Sequence, residues 1–246
     1  MIYELENTEK AAYLFEDFED AGITACLQKV MGKIYVTDPE EPRSAMALIG
    51  AFAFYAGEPD AELLINKPDT YLIMVPQNCE WAQLIESLFP AFKRIRYAIK
   101  RQACFDREKL GKILASLPEG YEIRPIDSEI YDICIADPEF EDFVCVFGSK
   151  EKFFELGLGF VVMKDGKIVS GASSYSRYRE GIDIEVGTIK AERHKGLAGA
   201  VCAKLILTCL DRGLTPRWDA ANMMSVRLAN KLGYAFDREY VCFGVE

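Results

Sequence analysis

Hydrophobic and polar positions along the chain change period most sharply around residues 182–213. Residues 182–189 read as a short, largely apolar strand. A basic turn, Arg193-His194-Lys195-Gly196, follows. Then Leu197-Ala198-Gly199-Ala200-Val201-Cys202-Ala203-Lys204-Leu205-Ile206-Leu207 opens a helix that ends near Arg212, with Gly213 suited to its C-terminal cap. Upstream, residues 121–126 predict a strand, and 142–156 a mostly helical stretch broken at Gly148. Residues 160–164 and 167–175 predict two strands joined by Asp165-Gly166, a strong hairpin signal. Downstream come a strand at 216–219, a helix at 224–232 ended by Gly233, and a strand at 238–245. An antiparallel meander followed by strand, helix, strand, helix and strand is a mixed α+β domain.

The first half is less regular. Residues 8–18 carry a helical stripe (Ala11, Leu14, Phe15, Phe18), with Thr8 placed as N-cap. Residues 32–36 predict a strand closed by Asp38-Pro39. For residues 45–56, Ser44 could cap a helix, but the pattern favours a buried strand with a bulge at Gly50. Strands are expected at 71–75 and 95–100. Helices are expected from an Asn78 cap to Phe89, ahead of Pro90, and from an Asp106 cap over 107–116. Leu117-Pro118-Glu119-Gly120 is the best linker, which divides the chain into 1–117 and 118–246. No sequence repeat is evident, yet both halves share one element order, so the N-terminal α+β domain reads as a diverged copy of the second. It holds no catalytic cluster; Phe52, Phe54 and Tyr55 read as core. Its expected role is to wall a substrate groove or to mediate homodimerisation.

The net charge of −10 argues against nucleic acid, whose phosphates need a basic face. The acidic N-terminus and the short apolar run at 45–57 give neither a signal peptide nor a membrane span. The eight cysteines include no Cys-x-x-Cys pair, so they read as buried thiols in a reducing cytoplasm, with no metal site.

Against that acidic background, Arg193, His194 and Lys195 concentrate positive charge where a strand turns into a helix. The first helical N–H groups lack partners, and the aligned peptide dipoles add partial positive charge there. A small phosphorylated ligand is the natural guest.

The loop Arg193-His194-Lys195-Gly196-Leu197-Ala198 resembles the (Gln/Arg)-x-x-Gly-x-(Gly/Ala) pyrophosphate loop of the GNAT N-acetyltransferase superfamily. The preceding strand (185–188), Trp218-Asp219, Asn222 and Leu232-Gly233-Tyr234 extend the resemblance over about residues 119–246. It is similar in particular to a bacterial branch with an extra N-terminal domain. The resemblance implies acetyl-CoA as cofactor and acetyl transfer to a primary amine of a small-molecule acceptor by direct attack in a ternary complex. It implies pantetheine contacts from the backbone of Val186 and Thr188 and from Asn222, with Ser225 counted beside it. Amides of Arg193, His194, Lys195, Gly196, Leu197, Ala198 and Gly199 would hold the diphosphate, and an N–H near Val186 or Gly187 would polarise the acyl carbonyl. Glu185 is the candidate base, and Asp183, two residues back on the same face, shares that task or binds a cationic substrate. The superfamily's usual general acid is a Tyr seven residues beyond Asn222; here Ala229 stands there. Ser225, Tyr175 and Tyr178 are the substitutes. That departure supports the rival reading, a non-catalytic acyl-CoA sensor. A P-loop enzyme is disfavoured, since the chain has no Gly-x-x-x-x-Gly-Lys-(Ser/Thr).

Overall fold

A computed structural model describes the whole chain, Met1–Glu246. It divides into two compact units: Met1–Arg96 with Glu239–Glu246, and Tyr97–Arg238. The boundary differs from the 117/118 division expected from sequence. Residues 117–120 form a turn inside the second unit. The helix before them is bound to that unit by Leu110, which is fully buried in its core, with Ile113 and Leu114 packed alongside.

Unit 1 runs β1 (Tyr3–Glu4), α1 (Glu9–Ala12), α2 (Ala21–Leu27), β2 (Lys33–Val36), β3 (Ser44–Ile49), β4 (Phe52–Gly57), α3 (Ala61–Ile65), β5 (Leu72–Pro76) and α4 (Cys79–Leu88), and β6 (Phe92–Ile99) begins in it. Unit 2 continues with α5 (Arg107–Ala115), β7 (Glu122–Pro125), α6 (Ser128–Ala136), α7 (Lys150–Leu156), β8 (Gly159–Lys164), β9 (Lys167–Tyr178), β10 (Gly181–Thr188), α8 (Leu197–Asp211), β11 (Thr215–Arg217), β12 (Asp219–Ala220) and α9 (Met223–Leu232). The last strand, β13 (Phe236–Val245), ends in unit 1, where it pairs antiparallel with β5.

Both units follow the same pairing plan. In unit 1 the order is β1-β2-β3-β4-β5, antiparallel except for the parallel β4–β5 pair. In unit 2 it is β7-β8-β9-β10-β11, antiparallel except for the parallel β10–β11 pair. The mixed, mostly antiparallel α+β class expected from sequence is therefore present twice, as the shared element order suggested.

Local chemistry explains most elements. Asp165 (φ 49°) and Gly166 (φ 75°) make the hairpin turn between β8 and β9. Asn78, Asp106 and Asn222 each accept a backbone N–H at the start of their helix. Two expectations fail in unit 1. The 8–18 helix is only α1 plus a turn of 3₁₀ helix at Tyr13–Phe15, and Thr8 does not cap it; its hydroxyl donates to the Leu27 carbonyl (2.6 Å). The 45–56 stretch is not one bulged strand but the hairpin β3–β4, because Gly50 at φ 53° turns the chain back. In unit 2 the 142–156 helix is reduced to α7, preceded by two 3₁₀ turns, Glu141–Phe143 and Cys145–Phe147.

The unit 2 core joins Phe160, Val162, Val169 and Ala172 of the meander with Ile182 and Ile184 of β10 and one face of α8, including Val201, Leu205 and Ile206. Cys202 and Cys209 lie on that face, fully buried, and all eight cysteines are free thiols. No helix is long and apolar enough to cross a membrane, and no cluster of His, Cys, Asp or Glu could hold a metal ion.

Candidate active site

The site grows from the place where the unit 2 sheet opens. β11 pairs with β10 only at Gly181↔Thr215, Ile182↔Pro216 and Asp183↔Arg217. At Trp218 the chain turns away, and β12 pairs instead with β6 (Asp219↔Ala98, Ala220↔Tyr97). β10 goes on to Thr188 with β9 along one edge only. At Ile184, Val186 and Thr188 no strand is therefore paired on the second edge of β10.

Alternation decides which groups line that edge. The Glu180 carbonyl accepts the Thr215 N–H (2.8 Å), so alternate residues 182, 184, 186 and 188 present their backbone to the β11 side. The irregularity in the β9–β10 ladder adds its extra residue, Tyr175, to β9, so the alternation along β10 is unbroken. Val186 therefore faces the open edge. Gly187 does not: it is paired with Gly171, and its carbonyl accepts the Ser170 hydroxyl (2.8 Å). Thr188 faces the edge, but its carbonyl already accepts Arg193 Nε (3.1 Å), and its hydroxyl lies 2.7 Å from that of Ser170.

Beyond the strand the chain makes a short 3₁₀ turn, Lys190–Glu192, then a loop with two left-handed residues, His194 (φ 65°) and Gly196 (φ 84°). Alternating hands turn successive N–H groups toward one point, the geometry of an anion-binding nest. Gly196 is the N-cap of α8 with no side-chain cap, and a Cβ built on it would meet nothing within 4 Å. The Arg193 amide donates back to the Lys190 carbonyl (3.5 Å), whereas those of residues 194–199 donate to no partner within the protein. The concave run is therefore one residue shorter than the sequence suggested.

Two of the expected phosphate-binding side chains point elsewhere. Arg193 holds Thr188. Lys195 Nζ donates to Glu192 Oε2 (2.7 Å) and to the Tyr121 hydroxyl (3.2 Å). Glu192 also accepts Lys164 Nζ (3.2 Å) and the Tyr121 hydroxyl. The Lys195 and Tyr121 hydrogen bonds, followed by that of Lys164, hold the Glu192 carboxyl down at about 2. The Tyr121–Lys164–Glu192–Lys195 group was not read from sequence, because its members come from segments far apart in the chain.

Asp183 and Glu185 lie on the face of β10 opposite the buried Ile182 and Ile184, and both are half-buried. That face carries Ser173, directly opposite Glu185, and Ser176, directly opposite Asp183. The Ser173 hydroxyl donates to the Phe143 carbonyl (2.7 Å), which fastens the 3₁₀ turn at Glu141–Phe143 beside Glu185. The Phe143 ring covers the facing pair Gly171 and Gly187: a Cβ on Gly171 would sit 2.4 Å from it, and one on Gly187 3.2 Å. The ring leaves no room for a side chain at Gly171 and only a tight fit at Gly187.

The candidate proton donors are less free. Ala229 is fully buried in the core. The Ser225 hydroxyl accepts Trp218 Nε1 (2.9 Å), and Tyr178, raised by burial, donates to the Thr215 carbonyl (3.2 Å). Tyr175 sits half-buried at the bulge. Asn222 uses its side-chain oxygen to cap α9, accepting from Met224 and Ser225 (both 3.0 Å). Trp218 is core, 5 % exposed and against Tyr234.

A split β-sheet, with a nest of free amides at the helix that follows the split, is the arrangement of an N-acetyltransferase fold. The GNAT acetyltransferase family model matches residues 12–243, so the chain belongs to the GNAT acetyltransferase family, an enzyme family of N-acetyltransferases. A crystal structure of a GCN5-related N-acetyltransferase-like protein from Streptococcus suis 89/1591 is 42% identical, covers 98% of this chain and 99% of its own, and superposes with a TM-score of 0.95. The Bacillus subtilis (strain 168) protein named uncharacterized N-acetyltransferase YdfB is 28% identical over 160 residues; the match covers 63% of this chain and 60% of that relative's length. A tandem GNAT protein from the clavulanic acid biosynthesis pathway, 12% identical, shares the fold with a TM-score of 0.57 over 100% of this chain and 98% of its own.

Proposed function

We propose that unit 2 transfers an acetyl group from acetyl-CoA to a primary amine of a small molecule by direct attack in a ternary complex. The observation that carries this reading is the run of partnerless amides at residues 194–199 around left-handed Gly196, next to the open edge of β10. Six converging N–H groups and a helix N-terminus suit a diphosphate. The open edge suits an amide-bearing arm that adds to the sheet as a strand would. Acetyl-CoA supplies the acyl group as a thioester.

In this reading the residues divide the work as follows. The Val186 N–H faces the acyl carbonyl and stabilises the negative charge that builds on it. The cradle and the β10 edge fix the thioester, so the amine meets it in one orientation. Glu185 takes the proton of the attacking amine, directly or through water. Asp183, further along the same face, attracts the cationic acceptor. Phe143 closes that face over Gly187 and excludes water. With Ala229 in the core, the departing thiolate receives its proton from solvent or Tyr175.

The buried Ala229 and the engaged hydroxyls of Ser225 and Tyr178 favour one rival, an acyl-CoA sensor without turnover. A single experiment separates the two. Millimolar acetyl-CoA raises the melting temperature in both, because a ligand bound only by the folded state stabilises it by mass action. Thiol release with a panel of primary amines occurs only for the enzyme. No thermal shift rejects both readings, and a shift without thiol release rejects transfer.

A further inference from the structure

The Tyr121–Lys164–Glu192–Lys195 group stands directly against the loop that forms the cradle, but it has no part in the transfer described above. Glu192 closes the 3₁₀ turn just before Arg193, and Lys195 lies inside the cradle between its two left-handed residues. The other two come from the meander: Tyr121 immediately precedes β7, and Lys164 ends β8. Both amino groups lie over the Tyr121 ring, at 5.1 Å for Lys164 and 6.0 Å for Lys195. Glu192 is the hub. Its side chain is 12 % exposed, and its two oxygens accept from all three partners.

The consequence for the loop is mechanical. A nest binds an anion well only if its N–H groups already converge, because ordering a loop at the moment of binding lowers affinity. Residues 188–196 are tied at three places. Arg193 Nε reaches back to the Thr188 carbonyl, Glu192 grips Lys195 across the loop, and Glu192 is itself held to the sheet by Lys164 and Tyr121. The same ties keep Lys195 Nζ off the concave face, so backbone rather than a long mobile side chain forms the floor.

We infer that Glu192 is a positioning residue: it holds the loop 193–196, with His194 and Gly196 left-handed, in the arrangement that makes the coenzyme A cradle, although its own charge is unfavourable to an anion nearby. The inference rests on the coenzyme A reading of the cradle. It gives a test in which position and charge act in opposite directions. Glu192→Gln removes a negative charge beside the cradle, so charge alone strengthens the binding of an anion. Loss of the tie weakens it.

The test is isothermal titration of the full chain with coenzyme A at fixed ionic strength. Glu192→Gln is expected to bind at least fivefold more weakly than the native chain. Tyr121→Phe, which changes no charge, is expected to weaken binding about twofold to fivefold. Glu192→Asp, which keeps the carboxylate, is expected to recover most of the loss, which general damage to the fold would not allow. Circular dichroism checks that each variant is folded. Native binding with equal or tighter binding by Glu192→Gln overturns the positioning role and leaves the cradle reading intact. Absence of binding by the native chain overturns both.

Discussion

Units 1 and 2 are built on one plan, but only unit 2 leaves its central strand open. In unit 1, β4 is paired to β5 from Phe52↔Ile73 to Tyr55↔Pro76. Backbone bonds extend the seam at both ends: the Ile73 N–H reaches the Ala51 carbonyl (2.7 Å), and the Gln77 N–H reaches that of Tyr55 (3.0 Å). Past the seam, the Gln77 side chain accepts the Gly57 N–H (3.0 Å) and donates to the Leu14 carbonyl (2.7 Å). A carboxamide of the protein thus occupies the strand end where unit 2 offers bare backbone. The following helices differ in the same sense. α3 has five residues, and the Asp60 carboxylate caps it by accepting the Glu62 N–H (2.8 Å). α8 has fifteen, begins at an uncapped left-handed glycine, and leaves its amides free. The free amides of His194, Lys195 and Gly196 lie on exposed residues, where solvent or a ligand can reach them. The presence of the open strand edge and these amides in unit 2, and their absence from unit 1, is the contrast on which the proposed placement of the site rests.

The comparison can be broken most severely at two left-handed glycines. Gly196→Val puts a branched side chain at φ 84° on the concave face of the cradle. Coenzyme A binding by the folded protein, measured by calorimetry, should fall at least about 100-fold, on the order of 3 kcal/mol, and the left-handed strain should cost a further roughly 1–2 kcal/mol of stability. Gly57→Ala is the counterpart in unit 1. At φ 81° its new Cβ would lie 2.1 Å from the Arg43 carbonyl oxygen. Denaturant unfolding should show a loss of roughly 2–4 kcal/mol, while the folded fraction binds coenzyme A as before. Equal effects of the two substitutions on binding would erase the contrast.

Smaller changes sharpen it. Glu185→Gln should lower turnover by about 100-fold at neutral pH, the range of a lost general base; unchanged turnover removes Glu185 from that role. Gln77→Ala strips the side-chain partners of the Gly57 N–H and the Leu14 carbonyl and should cost about 1–2 kcal/mol without creating a second coenzyme A site. The smallest effect is on acid stability. The Glu192 carboxyl is held at about 2, below the ordinary carboxylate range, so its ionised form stabilises the fold. That contribution is full above the unfolded value of about 4.3 and fades as pH falls through the folded value. The melting-temperature difference between the native chain and Glu192→Gln should therefore be constant at neutral pH and shrink between about pH 4 and pH 2.

What the sequence made legible was local. The Asp165-Gly166 turn, the Asn78, Asp106 and Asn222 caps, and the passage from β10 through Gly196 into α8 are each set by residues a few positions apart. The hidden features depend on distant partners. Thr8 reads as a cap until Leu27 is found to take its hydroxyl. The compact units divide after Arg96 rather than near residue 117 because α5 packs into unit 2, and β13 returns to pair with β5; neither leaves a local trace. The same holds at the site. The resemblance alone implied that Val186 faces the ligand, and the place of Gly187 on the paired edge follows only from its register with Gly171. The tie between Tyr121 and Glu192 spans 71 positions and has no sequence signature.

The central claim is that backbone amides around Gly196 grip the diphosphate of coenzyme A. Amide hydrogen exchange with and without saturating coenzyme A tests it directly. The account predicts strong new protection at residues 194–199 and at Val186, with the start of α3 in unit 1 unchanged. Exchange at residues 194–199 that stays equally fast while coenzyme A is demonstrably bound would contradict it.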